Sequence, residues 1–510
     1  MNDAQVIPEH LQPVLREALA SHREGRLDDA VGKYQRVLWE IPRSPEVLVS
    51  LAAALLGLER AADAIGPLEM ALSLRPGHAD TCFTLAEAYR SVGRFEEAYD
   101  TAEIGLAANP DYLQGRMAMA DALLDMGRFD EARAAFAEIR RREPGDMVVR
   151  GKLGAFHFHA GEFAEAEAEL TAAVAALPND AEANWHLASL YLGQRRWTEG
   201  WPMYTWRWPM AKRPAPESLI NLPVWDGAGL AGKRIVVWSE QGLGDELMFS
   251  TCLPDLLEKA APAECIWNCD ARLAGLFRRT FPDLTLLPTD KQAEDGGTAE
   301  VPHCDVQISA GGLPAIFRRD TADFPASIPE FVADPEKAAM WSGRLAELGE
   351  GPKVGIAWRG GVLERFKRAK SSRLADWADI LSVEDIQFVN LQHGDCRDEL
   401  AEAQAALGCR IHDFRDMDPI ADPDGQMALI AGLDLVVQTS NASAHMAGLL
   451  GVPVWCMLPY VADWRWSFEG AECLWYPSMR LFRQAAPGDW PGLFAGVAGE
   501  LGQWAAARKG

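Results

Sequence analysis

Three short polar stretches, each directly after an apolar run, hold the residues of this chain best suited to chemistry. The first is Gln241-Gly242-Leu243-Gly244-Asp245, which follows Lys233–Trp238. Its two glycines let the backbone come close to a ligand, and Asp245 puts a carboxylate at the start of a helix. The same residues equally suit a tight strand-to-helix turn with Asp245 as its cap. The second is Ala357-Trp358-Arg359-Gly360-Gly361, leading into Arg365, Lys367, Arg368, Lys370 and Arg373. Glycine-rich backbone beside clustered cations suits a phosphate-bearing ligand, and the clustering stands out in a chain of formal charge -25. The third is Gln438-Thr439-Ser440-Asn441-Ala442-Ser443-Ala444-His445. Its small polar residues open a helix whose free N–H groups can cradle a diphosphate. His445 fits a buried, hydrogen-bonded histidine as well as a ligand contact.

The elements that must position these residues follow from the apolar pattern. Short β-branched runs recur at Lys233–Trp238, Cys265–Asn268, Leu284–Leu287 and Asp305–Ile308. A second series runs through Lys353–Trp358, Gln387–Leu391, Cys409–His412, Leu433–Val437 and Pro453–Met457. Buried strands alternating with helical segments, such as the apolar stretch Glu246–Ala260, predict α/β structure with parallel, doubly wound sheets. The expected layout is two Rossmann-like halves facing one another across a cleft, over residues 209–335 and 336–486, with a C-terminal helix in 487–510. Ligands in open α/β sheets bind beyond the carboxyl ends of the strands, which is where the three polar stretches lie.

Ahead of the sheets the chain changes period. Pro42, Pro76, Pro110, Pro144 and Pro178 stand 34 residues apart. Twelve residues before each comes Ala30, Ala64, Ala98, Ala132 or Ala166, and four after that alanine comes Tyr34, Leu68, Ala102, Phe136 or Leu170. A 34-residue period with these small and large positions is that of tetratricopeptide (TPR) helix pairs. The alanine lets two antiparallel helices approach, the later residue fills the gap, and the proline ends the second helix. An α-solenoid of about six repeats is expected over residues 11–208, with a concave groove for a peptide or protein partner. Its last pair is atypical, with Gly200 at the alanine position, Tyr204 at the large position and Trp197, Trp201, Trp206 and Trp208 nearby. Aromatic residues on a terminal repeat imply packing against another domain.

The remaining composition narrows the classes. With 510 residues the chain has room for two to four domains. It has no basic stripe, which argues against a nucleic-acid or anionic-membrane surface. Nine scattered cysteines without a C-x-x-C pair read as reduced thiols, and no metal-ligand spacing is present. The first residues show no secretion signal, and the apolar window Ala442–Tyr460 is broken by Gly448, Gly451 and Pro453, as a helix, turn and strand would be. A cytoplasmic protein without stable membrane insertion is the expectation.

Against this background the second half resembles a known group. Trp225-Asp-Gly, Leu230-Ala-Gly-Lys-Arg-Ile and Glu240-Gln-Gly-Leu-Gly-Asp245 look like the start of glycosyltransferase domains related to the heptosyltransferases. Ser443-Ala-His445-Met-Ala-Gly448, Tyr460-Val-Ala-Asp-Trp-Arg-Trp466 and Trp475-Tyr-Pro-Ser look like their second half. The resemblance spans about residues 185–490, and the layout is similar in outline to TPR-fused GT-B enzymes such as protein O-GlcNAc transferases. It implies inverting sugar transfer from a nucleotide-sugar, with neither metal nor other cofactor, to an acceptor hydroxyl on a protein held by the TPR groove. Flagellin is one candidate acceptor. It implies Asp245 as general base and Arg359, Gly360, Lys367, Lys370, Gln392, Ser440, Asn441, Ala442, Ser443 and His445 on the donor side. Gln241, Gly242, Gly244, Asp463, Trp464 and Arg465 would line the cleft, although Trp464 equally fits a structural corner. One position departs from the group's pattern: where relatives commonly carry an Asp, five residues before the His, this chain has Ser440. Two other functions stay open at this point, a TPR adaptor with a degenerate GT-B domain and a transferase acting on a lipid-linked saccharide.

Overall fold

The computed structural model describes residues 7–211, 221–291, 301–360 and 370–508. Among these, the chain forms two compact units, one reaching to Ala160 and the other beginning at Gly161.

The first unit is a stack of antiparallel helix pairs: Gln12–Arg23 with Leu27–Glu40, Pro45–Gly57 with Ala61–Leu74, Ala79–Ser91 with Phe95–Ala108, and Leu113–Asp125 with Phe129–Arg142. Helix Met147–Ala160 follows. Each second helix stops two residues before its proline, at Glu40, Leu74, Ala108 and Arg142, because proline holds the preceding residue in extended backbone. Ala30, Ala64, Ala98 and Ala132 are fully buried, and Tyr34, Leu68 and Phe136 are buried beside them. Burying each of these large side chains contributes roughly 1.5–3 kcal/mol. Each first helix ends on a left-handed residue at the repeat's own period, Gly25, Glu59, Gly93 and Gly127. Buried Arg90 bonds Asp125 at 2.8 Å and Asp121 at 3.1 Å in the next repeat, and Glu87 of its own helix at 2.9 Å.

The second unit opens with helices Phe163–Ala176, Ala181–Gly193 and Trp197–Met203. At Gly200 an added Cβ would lie 2.7 Å from Leu192 Cδ2, an approach closer than alanine permits. Trp197, Trp201 and Tyr204 then enter the same core as Phe249, Trp464 and Trp475. Trp201 Nε1 donates to the Arg318 carbonyl at 2.6 Å. The aromatic end of the repeat array therefore packs on the α/β region, as its composition implied.

That region holds two parallel sheets. Strands β1 (Arg234–Trp238), β2 (Glu264–Asp270), β3 (Thr285–Thr289) and β4 (Val306–Ser309) are ordered β3-β2-β1-β4. Strands β5 (Lys353–Ala357), β6 (Gln387–Asn390), β7 (Ile411–His412), β8 (Leu435–Thr439), β9 (Val454–Leu458) and β10 (Met479–Arg483) are ordered β10-β9-β8-β5-β6-β7. Val236 lies opposite Ile266 on one side and Gln307 on the other, and Ile356 opposite Val437. In each sheet the strand order reverses beside the first strand, between β1 and β4 and between β5 and β8. Loops leaving those strands diverge at such a point and leave room for side chains.

Two expectations change. The stretch 246–260 is not one helix: Leu243–Ser250 ends before Pro254, and short turns Leu253–Asp255 and Leu256–Ala260 follow. Pro254 has no N–H to donate, so the regular ladder breaks there. Strand β10 was not expected, because Arg480 and Arg483 interrupt its apolar run. At this sheet edge Arg480 is exposed and pairs with Glu500, while Arg483 donates to the Trp466 carbonyl at 2.7 Å. The C-terminal helix Trp490–Ala506 places Phe494, Val497 and Leu501 in the core of the second sheet, with Ile356 and Trp377.

Candidate functional site

The site is assembled from the carboxyl ends of β1, β5 and β8 and the turn after β9. After β1, Gln241 adopts a left-handed φ of 59°, and the chain enters the helix Leu243–Ser250. Asp245 lies in its first turn, and its Oδ2 accepts the Gly242 N–H at 3.2 Å, capping the start of the helix. Its Oδ1 is left free of that cap and meets the Arg465 guanidinium in an ion pair. Cap and site residue are thus the same carboxylate, one oxygen for each.

Arg465 stands on the short turn Trp464–Trp466, which Asp463 caps by accepting the Arg465 N–H at 3.2 Å. Its guanidinium bonds Asp463 at 2.8 Å and Gln241 Oε1 at 2.9 Å. It lies 4.7 Å from the centre of the Trp464 ring. Lys370 Nζ reaches Asp463 at 3.4 Å. Two carboxylates and two cations are therefore interleaved in one largely buried cluster. Burial opposes charge on Asp463, but Arg465 and Lys370 outweigh it and hold the carboxyl well below its usual range. Burial likewise opposes charge on Arg465, and Asp245 and Asp463 outweigh it, raising the guanidinium above its ordinary value.

After β8, Asn441 caps the helix Ala442–Leu449 by accepting the Ser443 N–H at 3.0 Å. Its amide donates to the Arg359 carbonyl at 3.1 Å. Ser443 Oγ lies 2.6 Å from both Gln438 Oε1 and Asn441 Oδ1. Ser440 Oγ accepts the Trp466 Nε1–H at 2.8 Å. His445 is buried, stacked on Trp466 with ring centres 5.1 Å apart, and its Nδ1 is 2.8 Å from the Tyr476 hydroxyl. Burial pushes its imidazole down to about 4, against the opposing pull of Asp245.

Two glycines expected to face a ligand face protein instead. A Cβ on Gly244 would lie 2.8 Å from His445 Cδ2, and one on Gly360 would lie 2.2 Å from the Ser440 carbonyl oxygen. Gly244 lets the two sheets' helices meet, and Gly360 lets the loops after β5 and β8 meet. Gln392 accepts both the Trp358 N–H at 3.0 Å and the Arg359 N–H at 2.8 Å, bracing the loop after β5. The Arg359 guanidinium is engaged by Glu399 at 3.0 Å. Trp464 is buried edge-on against Trp201 and Tyr204, with centres 5.4 and 5.1 Å apart. Lys367, with most of the cationic loop, lies outside the described residues.

The structure brings together Gln241, Gly242, Gly244, Asp245, Lys370, Ser440, His445, Asp463 and Arg465. Sequence reasoning did not single out Trp466, Tyr476 or Tyr204 as site residues. Tyr204 accepts a 3.2 Å hydrogen bond from Gln241 Nε2. Their sequence signal was place rather than role: Trp466 and Tyr476 fall in the stretches that carry the resemblance, and Tyr204 at the large position of the last repeat.

A family profile for the tetratricopeptide repeat matches residues 83–146, 117–181 and 157–200, so this part of the chain is made of TPR repeats. Protein FlbA of Caulobacter vibrioides is 35% identical over 329 residues, which cover 63% of this chain and 55% of FlbA. The chain therefore spans about half the length of that curated relative. Similar solved structures include a thermophilic TPR protein of Thermus thermophilus, with 24% identity, 36% of this chain and 99% of the other covered, and a TM-score of 0.32. A MamA fragment of Desulfovibrio magneticus has 16% identity, 34% and 99% coverage and a TM-score of 0.31. Among the described residues no helix is long and apolar enough to cross a membrane.

Proposed function

We propose that the chain is a GT-B glycosyltransferase that moves a sugar from a nucleotide-sugar to a hydroxyl of a protein acceptor recruited by the TPR repeats. The single observation that carries this reading is the meeting of Asp245 with Arg465 at the strand ends, beside Lys370 and the helix that Asn441 caps. A carboxylate opposite cations and the positive end of a helix is the pairing that displacement at a sugar carbon requires. The acceptor oxygen forms a bond to the anomeric carbon and its proton passes to Asp245 Oδ1. The bond from that carbon to the phosphate oxygen breaks, and the nucleotide leaves with the electron pair. Lys370, Arg465 and the N-terminal end of the helix Ala442–Leu449 balance the charge that develops on it.

The test is to incubate the protein with nucleotide-sugars and candidate protein acceptors, flagellin among them, and to weigh the intact acceptors. A gain of one sugar mass that falls by about 10²-fold or more in Asp245→Asn supports the reading. Donor binding with no transfer to any acceptor sinks it and leaves a TPR adaptor with a degenerate domain. One feature favours that second reading: Ser440, at the position where the resembled group commonly has an acid, is engaged by Trp466.

A further inference from the structure

Asp245 carries its two oxygens into different duties. Oδ2 is held by the Gly242 N–H at 3.2 Å, so the carboxylate keeps its place whatever happens at Oδ1. Oδ1 faces Arg465, and a carboxylate oxygen covered by a guanidinium cannot take a proton from a hydroxyl. Arg465, in contrast, has alternatives. Its turn is anchored by Asp463, its guanidinium stays bonded to Asp463 at 2.8 Å, and its planar face lies on Trp464. The guanidinium can therefore leave Asp245 while remaining charged, stacked and partly paired. Lys370, 3.4 Å from Asp463, is the neighbouring cation. An arriving phosphate group offers Arg465 a second anionic partner in place of Asp245.

Resting on the transferase reading, we infer that Arg465 is a switchable anion ligand. It covers Oδ1 of Asp245 in the empty site and transfers to the phosphoryl oxygens of an incoming nucleotide-sugar. The base is uncovered only while donor is bound, which imposes an order on the reaction: donor binds first, and the acceptor hydroxyl is activated after it. Because Asp245 and the phosphate compete for one guanidinium, each weakens the other's hold on it.

The experiment measures binding of UDP, GDP and CMP by titration calorimetry to the full-length wild-type protein, Asp245→Asn, Arg465→Gln and the double variant. Arg465→Lys serves as a charge-retaining control, and thermal melting establishes that each variant is folded. For the nucleotide that binds, Asp245→Asn is expected to bind about tenfold tighter and Arg465→Gln about tenfold weaker. In the Arg465→Gln background the Asp245→Asn change should shift affinity by less than about twofold. Arg465→Lys should fall between wild type and Arg465→Gln. An equal gain from Asp245→Asn with and without Arg465 would mean simple charge repulsion and overturns the switch. So does an Arg465→Gln protein that binds as tightly as wild type. Failure of all three nucleotides to bind wild-type protein overturns the transferase reading, and the switch with it.

Discussion

The indole Nε1–H of Trp466 donates to Ser440 Oγ at 2.8 Å, joining the turn after β9 to the loop after β8. Trp466 is buried, and its ring also stacks on His445, so the serine hydroxyl satisfies a donor that water does not readily reach. Replacing Ser440 with Ala leaves that N–H unpaired. A loss of about 1–3 kcal/mol is expected on denaturant unfolding, while Ser440→Thr, which keeps the hydroxyl, should lose less. Equal stability of Ser440→Ala and wild type would show the bond to be dispensable.

Gly360 packs against the backbone of Ser440, where an added Cβ would fall 2.2 Å from the carbonyl oxygen. Backbone cannot rotate aside as a side chain can, so Gly360→Ala must push the loops after β5 and β8 apart. A cost of roughly 1–3 kcal/mol is expected. Gly343 is the internal contrast, lying in the helix Pro335–Ala346 with nothing within 4 Å of its added Cβ. There alanine should stabilise by about 0.5–1 kcal/mol. Chemical denaturation of the two variants side by side would check both signs.

His445 links stability to pH. Burial lowers its pKa from the ordinary 6.5 to about 4. The unfolded chain therefore takes up a proton at this residue before the folded chain does. Its contribution to stability is complete above about pH 6.5 and is lost as pH falls toward 4; below that, both states are protonated and the loss levels off. The full effect is on the order of 3 kcal/mol. His445→Gln should lose less stability between pH 7 and pH 4.5 than wild type does. Parallel losses in the two proteins would place the acid sensitivity elsewhere.

Arg207 and Glu240 form a buried two-point pair, at 2.6 and 2.9 Å, between the end of the repeat array and the end of β1. Glu240 also accepts the Gly311 N–H at 2.6 Å. Arg207→Ala removes both of these charge-assisted bonds from a buried carboxylate and is expected to cost about 3–5 kcal/mol. Arg373→Ala, which breaks a pair with Asp376 in which the arginine side chain is 80% exposed, should leave the melting temperature nearly unchanged. Melting curves that rank the two the other way would contradict this account of the joint.

Local chemistry made much of this chain readable. The 34-residue period located helix ends through proline and close approach through alanine, because both constraints act within one or two turns. Among the described residues apolar runs located nine of the ten strands, since most of these strands are buried and a strand buried on both faces must be apolar along its length. The edge strand β10, interrupted by Arg480 and Arg483, carried no such run.

The identity of the candidate residues was likewise legible, because they follow directly after strands. Which of them meet was not. Asp245 and Arg465 are separated by 220 residues and come together only when the loops of two sheets converge in one unit. The same packing turned Gly244 toward His445 and Gly360 toward Ser440, set Trp466 as the partner of Ser440, and engaged Arg359 with Glu399. Side-chain partnership across such distances depends on where whole elements settle, and that is decided by the summed burial of many residues rather than by any short stretch.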